Sequence, residues 1–186
     1  MVIRTVGLAV VVMLLMAGVS RAQEMSKEMS LLKGDIGSWN AEIRMFDPEG
    51  KVQESSKGTE TNVMLGNMWI ISHFKAEMMG MAFEGSSQIG YNPDNKKYVG
   101  TWVDSMSPYA MATEGEYDEK TQTLTSHGSG KGPDGSEMKM KMTTTHNKDG
   151  SRLFTMYGEM PDGKSMKMME ILYTRAQDGE SKPAAK

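Results

Sequence analysis

Cysteine is absent from the 186-residue chain, and that absence removes several chemistries at once. No disulfide can form, so the fold rests on its core alone. Thiol nucleophiles, iron–sulfur clusters, cysteine-ligated zinc and a lipid-modified cysteine behind an export signal are all excluded. Histidine is scarce: His73, His127 and His146 are the only three, and their separations fit no short zinc motif. There is no Gly-x-Ser-x-Gly elbow and no phosphate-binding glycine loop. Basic residues do not dominate, at 21 against 24 acidic ones, so the excess positive charge usual in a nucleic-acid binder is missing.

Long apolar runs are missing too, except one. Residues 6–19 are apolar, follow the single charge of Arg4, and precede Ser20 and Ala22 at the small-residue positions of a cleavage site. This is the layout of a secretory signal peptide over residues 1–22. The rival reading, a retained membrane anchor, is disfavoured because 14 residues fall short of the roughly 20 needed to span a bilayer. Cleavage after Ala22 leaves 164 residues starting at Gln23, with a formal charge of −5. The expected product is exported, periplasmic or secreted, with no stable membrane insertion and a core sizeable enough for one domain.

What is present reads as strand. In residues 23–34, Met25, Met29 and Leu32 share a helical face, so a short amphipathic helix and a flexible linker are both open. Residues 176–186 read as a solvated, disordered tail. Between them, over residues 35–175, ten strand-like runs alternate with turns: 38–46, 52–64, 68–79, 82–91, 96–104, 109–118, 122–130, 136–146, 151–160 and 164–175. Asp47-Pro48-Glu49-Gly50, Lys148-Asp149-Gly150 and Pro161-Asp162-Gly163 carry turn chemistry, Asp and Gly tolerating positive φ. Links this short join antiparallel neighbours, since a parallel pair needs a crossover of about a dozen residues or more. Ten strands in an open sheet would leave two exposed edges, and closure removes them. The expected fold is therefore all-β, an antiparallel up-and-down barrel of about ten strands with room inside for a small ligand. A flattened sandwich is the competitor. In Glu137-Met138-Lys139-Met140-Lys141-Met142 the methionines share one face and the lysines the other. Met169, Ile171 and Tyr173 form a second apolar face. In the run from Lys97 to Asp104 both faces carry apolar groups, and the inward one stays open.

Several segments carry a resemblance. They are Gly37-Ser38-Trp39, Gly66-Asn67-Met68-Trp69, Met78-Met79-Gly80-Met81-Ala82-Phe83-Glu84-Gly85, Ile89-Gly90-Tyr91-Asn92, the stretch from Lys97 through Trp102 to Met106, and Met169-Glu170-Ile171-Leu172-Tyr173-Thr174-Arg175. Together they resemble the bacterial domain-of-unknown-function family numbered 1579 over nearly all of residues 29–175. The resemblance implies a calycin- or lipocalin-like barrel and no particular activity.

Candidate residues follow from these patterns. Trp39, after a Gly-Ser pair, is expected as a plug at one barrel end. Trp69, Phe74, Phe83, Tyr98, Trp102 and Tyr173 are candidates to line an interior, with core packing as the plainer role. Met138, Met140 and Met142 join them as ligand-contacting candidates. With Met166 and Met168 they could also offer thioethers to copper(I). Neighbours two apart on a strand lie about 6.6 Å apart, however, too far for one ion, so apolar packing is expected, with no metal and no cofactor. Met79-Gly80-Met81 reads as a turn at a barrel end. Asp104 and Glu114 with His73 or His127 would make an acid–base set only if the fold brought them within reach. The leading expectation is a binding module for a small apolar molecule. A filled barrel acting as a structural or protein-interaction domain, and a weak enzyme, are the alternatives; protein partners are not legible.

Overall fold

In the computed structural model, residues 24–131, 135, 137–159 and 163–177 are described; residues 1–22, expected as a signal segment, and the expected tail beyond residue 177 lie outside them. The chain forms α1 (Lys27–Leu31), a 3-10 turn (Lys33–Asp35), and ten strands: β1 (Gly37–Phe46), β2 (Val52–Leu65), β3 (Trp69–Met78), β4 (Met81–Asn92), β5 (Lys97–Asp104), β6 (Ser107–Asp118), β7 (Thr123–Lys131), β8 (Glu137–His146), β9 (Arg152–Glu159) and β10 (Ser165–Arg175). Each strand pairs antiparallel with the next, and β1 pairs with β10, from Trp39 opposite Arg175 to Met45 opposite Met169. The sheet is a closed barrel with no free edge, which decides against the sandwich.

Turn chemistry sets the meander. Met78 pairs with Met81, so Met79 and Gly80 alone make the turn, with φ of 52° and 71°. Two positive φ values define the turn whose twist matches the flanking strands. Gly80 adopts this freely; Met79 does so against its steric preference, and its N–H donates to Glu54 Oε1 at 2.7 Å. At the β1–β2 turn the Asp47 carboxylate accepts from the Lys51 N–H at 2.8 Å. Register shifts interrupt the ladders at Met45/Phe46, Trp102/Asp104 and Lys167/Met169. All three sit toward one rim, where bulges bend strands and release pairing.

The two ends differ. At one, α1 lies across the opening, its N-terminus capped by Ser26 Oγ, which accepts from the Met29 N–H at 3.1 Å. Met29 and Leu32 are buried there against Ile70, Tyr98 and Leu124, and the Tyr98 hydroxyl donates to the Glu28 carbonyl at 2.8 Å. Arg175 ends β10 by donating to the Gly34 and Ile36 carbonyls. Its guanidinium lies 3.9 Å from the Trp39 ring centre. This end is closed. At the other end no helix lies across the opening among the described residues, and exposed apolar side chains gather on it: Met79, Met81, Val103, Met106 and Tyr109.

Candidate functional site: the barrel interior

Strand alternation points every second side chain inward, and the inward set does not fill the barrel. A cavity of about 640 Å³ runs from Leu32, Asp35 and Arg152 at the closed end to Met45, Met78 and Tyr109 at the open one. Its wall is mainly apolar. Phe74, Phe83, Trp102 and Tyr173 form one continuous aromatic side. Phe83 and Trp102 stack with ring centres 6.4 Å apart, and Phe74 meets Phe83 edge-on at 6.0 Å and Tyr173 at 6.4 Å. Trp102 is placed by two constraints. Its indole N–H donates to Asp104 Oδ2 at 2.8 Å, and its ring crosses so close to Gly85 that an added Cβ would lie 2.3 Å from it. Met140, Met142, Met156 and Met169 also line the cavity, flexible side chains that adapt to irregular shapes.

The closed end of the cavity is polar. Arg152 is buried and bonds Glu60 Oε1 through one terminal nitrogen, with the other 3.8 Å from Asp35 Oδ1. Its guanidinium lies between Trp39 and Tyr173, 4.5 Å and 4.2 Å from their ring centres. Asn62, also buried, donates through Nδ2 to the Asp35 carbonyl at 2.9 Å and to Glu60 Oε1 at 2.7 Å. Trp39 donates to the same Asp35 carbonyl at 2.8 Å. His146 Nε2 meets Asp35 Oδ1 at 2.8 Å. Burial opposes the Arg152 charge, but Glu60 and Asp35 outweigh it and hold the guanidinium above its ordinary pKa. Burial likewise pulls His146 down, and the hydrogen bond and charge of Asp35, with the Gln122 carbonyl, reverse this and raise it. Burial, reinforced by Glu60, pushes the Tyr173 phenol well above its ordinary value, so it stays a neutral hydroxyl.

Residues 24–175 match the family described as "Protein of unknown function (DUF1579)". The chain belongs to the DUF1579 family. Among solved structures, the crystal structure of Rv2717c from M. tuberculosis is similar to this DUF1579 chain at 8% identity. It covers 83% of this chain and 100% of its own, with a TM-score of 0.58, a likeness of fold. A redesigned β-barrel, b11L5F_LGL, aligns at 15% identity over 83% of this chain and 100% of its own, with a TM-score of 0.38. No curated protein matches the sequence.

The DUF1579 barrel sorts the sequence candidates by parity. Phe74, Phe83, Trp102, Met140, Met142 and Tyr173 line the cavity. Trp69 does not: on β3 it has the opposite parity to Phe74, so it stands on the outer wall, its ring over Gly90 of β4. Tyr98 lies on the inner face of β5 but below the cavity, covered by α1. Met138 is turned inward at the open rim, beyond the cavity lining, with its sulfur beside that of Met168 over Gly158. Trp39 is buried at the closed end, against Asp35 and two guanidinium groups.

The acid–base candidates do not converge on the cavity. Glu114 and His127 face each other across β6 and β7 on the outer wall, where Glu114 pairs with Lys97 at 2.6 Å. His73 is on the outer face of β3, and Asp104 is engaged by Trp102 and the Met106 N–H at the open end. Among the described residues no group of three or more histidine and acidic side chains could hold a metal. The polar floor was not anticipated as a site. His146 and Asp35 are 111 residues apart, so no local motif announces them. The available signal was parity, because Arg152 shares a face with Phe154 and Met156, and a charge on an inward face demands partners.

Proposed function

We propose that this is an exported, lipocalin-like binding module that holds a small apolar molecule inside its barrel. The observation that carries the reading is the cavity of about 640 Å³ with an aromatic and methionine wall. That volume lies within the range of about 300–1,000 Å³ usual for small-molecule sites, as does the lining of apolar groups with a few polar ones. The exposed apolar side chains gathered at the open rim favour passage of an apolar molecule at that end. Export to the periplasm or beyond is the matching location, inferred from residues 1–22 of the sequence. An enzymatic role has less support, because His73 and His127 stand on the outer wall.

The reading is tested by native mass spectrometry of the protein purified from its own export compartment. The expected result is a chain beginning at Gln23 that carries additional, releasable mass, and whose emptied form binds the neutral dye Nile red. A bare chain that also leaves the dye's emission unchanged would overturn it. A second reading, a protein-interaction domain, rests on the outer-wall neighbours Val63, Leu65 and Trp69, of which the first two are half exposed. A partner recovered from the envelope and lost in Leu65→Lys would favour that reading.

A further inference from the structure

Two buried polar atoms on the cavity floor have no hydrogen-bond partner among the described residues: Asn62 Oδ1 and Arg152 Nε. Both residues line the cavity, and both are more than nine-tenths buried. A buried polar group left unpaired is costly, so such atoms mark where something else is meant to bond.

Their orientations are fixed by what surrounds them. Asn62 Nδ2 donates to two acceptors, the Asp35 carbonyl and Glu60 Oε1. Turning the amide over would set oxygen against oxygen twice, so Oδ1 must face away from Glu60 and needs a donor. Arg152 is sandwiched between the Trp39 and Tyr173 rings, which leaves it only in-plane partners. Its terminal nitrogens turn toward Glu60 and Asp35, and Nε–H needs an acceptor. The two side chains share Glu60 Oε1 as a partner, so they are immediate neighbours.

We propose that this floor receives one neutral hydroxyl group, and that the molecule held in the barrel is an apolar alcohol. The inference rests on the binding reading above and names the ligand class. A hydroxyl donates to Asn62 Oδ1 and accepts from Arg152 Nε–H with a single atom. A carboxylate accepts but cannot donate. An ammonium has nothing to offer Nε–H. Charge points the same way: Asp35 and Glu60 stand against one guanidinium and one imidazole, so the floor is at most formally neutral even with His146 protonated. An anionic head would meet two carboxylates already in place. Beyond the hydroxyl, the aromatic and methionine wall takes the hydrocarbon.

The test compares three ten-carbon probes as competitors of Nile red on the mature wild-type chain: 1-decanol, decyl methyl ether and decanoate. The ether keeps the acceptor and loses the donor; decanoate carries the anion. The expected result is decanol binding about tenfold more tightly than either, the scale of one hydrogen bond gained and none left unpaired. In Asn62→Leu, decanol should fall to the level of the ether while the ether is unchanged. The wild-type series stands alone should that variant fail to fold. Equal affinity for all three, the floor being satisfied by water only, overturns the alcohol assignment and leaves the binding reading intact. Tightest binding of decanoate overturns it as well. Failure of Nile red and every probe to bind ends both.

Discussion

At the scale of single residues, Arg152 decides the closed end. It faces two carboxylates and two aromatic rings from a buried position. Replacing it with methionine keeps the volume and leaves Glu60 and Asp35 buried without their cation. Breaking a buried pair in this way costs about 3–5 kcal/mol, and urea denaturation of Arg152→Met against wild type should show a loss of that size. His146 gives the same region a pH dependence. Its folded pKa is raised above the ordinary 6.5 through Asp35, with Arg152 opposing and Tyr117 as the remaining titratable neighbour. A raised histidine contributes stability in full below its unfolded pKa and loses it as pH rises through the folded value. The thermal midpoint should therefore fall as pH climbs past about 6.5, and in His146→Gln that part of the slope should vanish. Parity explains what could be read of these residues beforehand. Tyr173 shares its face with Met169 and Ile171, and that face points inward. Trp69 shares an aromatic ring with Phe74 but not a face, because their spacing of five puts them on opposite sides of the strand. Tyr98 failed as a cavity residue for another reason: only the packed structure shows α1 lying beneath it. Asn62, Glu60 and Arg152 stayed hidden because their meaning comes from partners on other strands.

At the scale of elements, the sequence was a good guide to strands and a poor guide to how they meet. All ten runs correspond to strands with ends within two residues of those expected, because Asp-Gly punctuation and period-two alternation are local signals. Which face of β5 points inward was open until Trp102 could be seen crossing Gly85 of β4. That crossing yields a prediction about the β4–β5 pair. In Gly85→Ala the new Cβ would fall within 2.4 Å of two Trp102 ring atoms, so the ring must leave its place in the aromatic wall. Overpacking of this kind costs about 1–3 kcal/mol. The variant should lose near-ultraviolet circular dichroism from the aromatic cluster and bind Nile red differently from wild type, while its far-ultraviolet spectrum stays that of a β protein. Of the expected turn Pro161-Asp162-Gly163, the first two residues lie outside the described residues.

At the scale of the whole molecule, closure depends on one seam. Nine of the ten strand pairs join neighbours in sequence, and the tenth joins β1 to β10. Without residues 165–186, β1 and β9 would each become an open edge, and Arg175 would no longer bond the carbonyls of Gly34 and Ile36. Such a truncated chain should be sensitive to protease, and prone to aggregate, at temperatures where the closed barrel resists digestion. The seam was legible only as a consequence of strand count and turn length; no residue at either terminus advertises its partner.

That seam also sets the order of events in the life of the protein. Trp39 meets Arg175 only after everything between them has been made, and contacts so distant along a chain form late. A polypeptide emerging from the ribosome therefore lacks its final staple until synthesis is nearly over. If the chain crosses a membrane as proposed above, closure can only follow the passage of β10, its last strand.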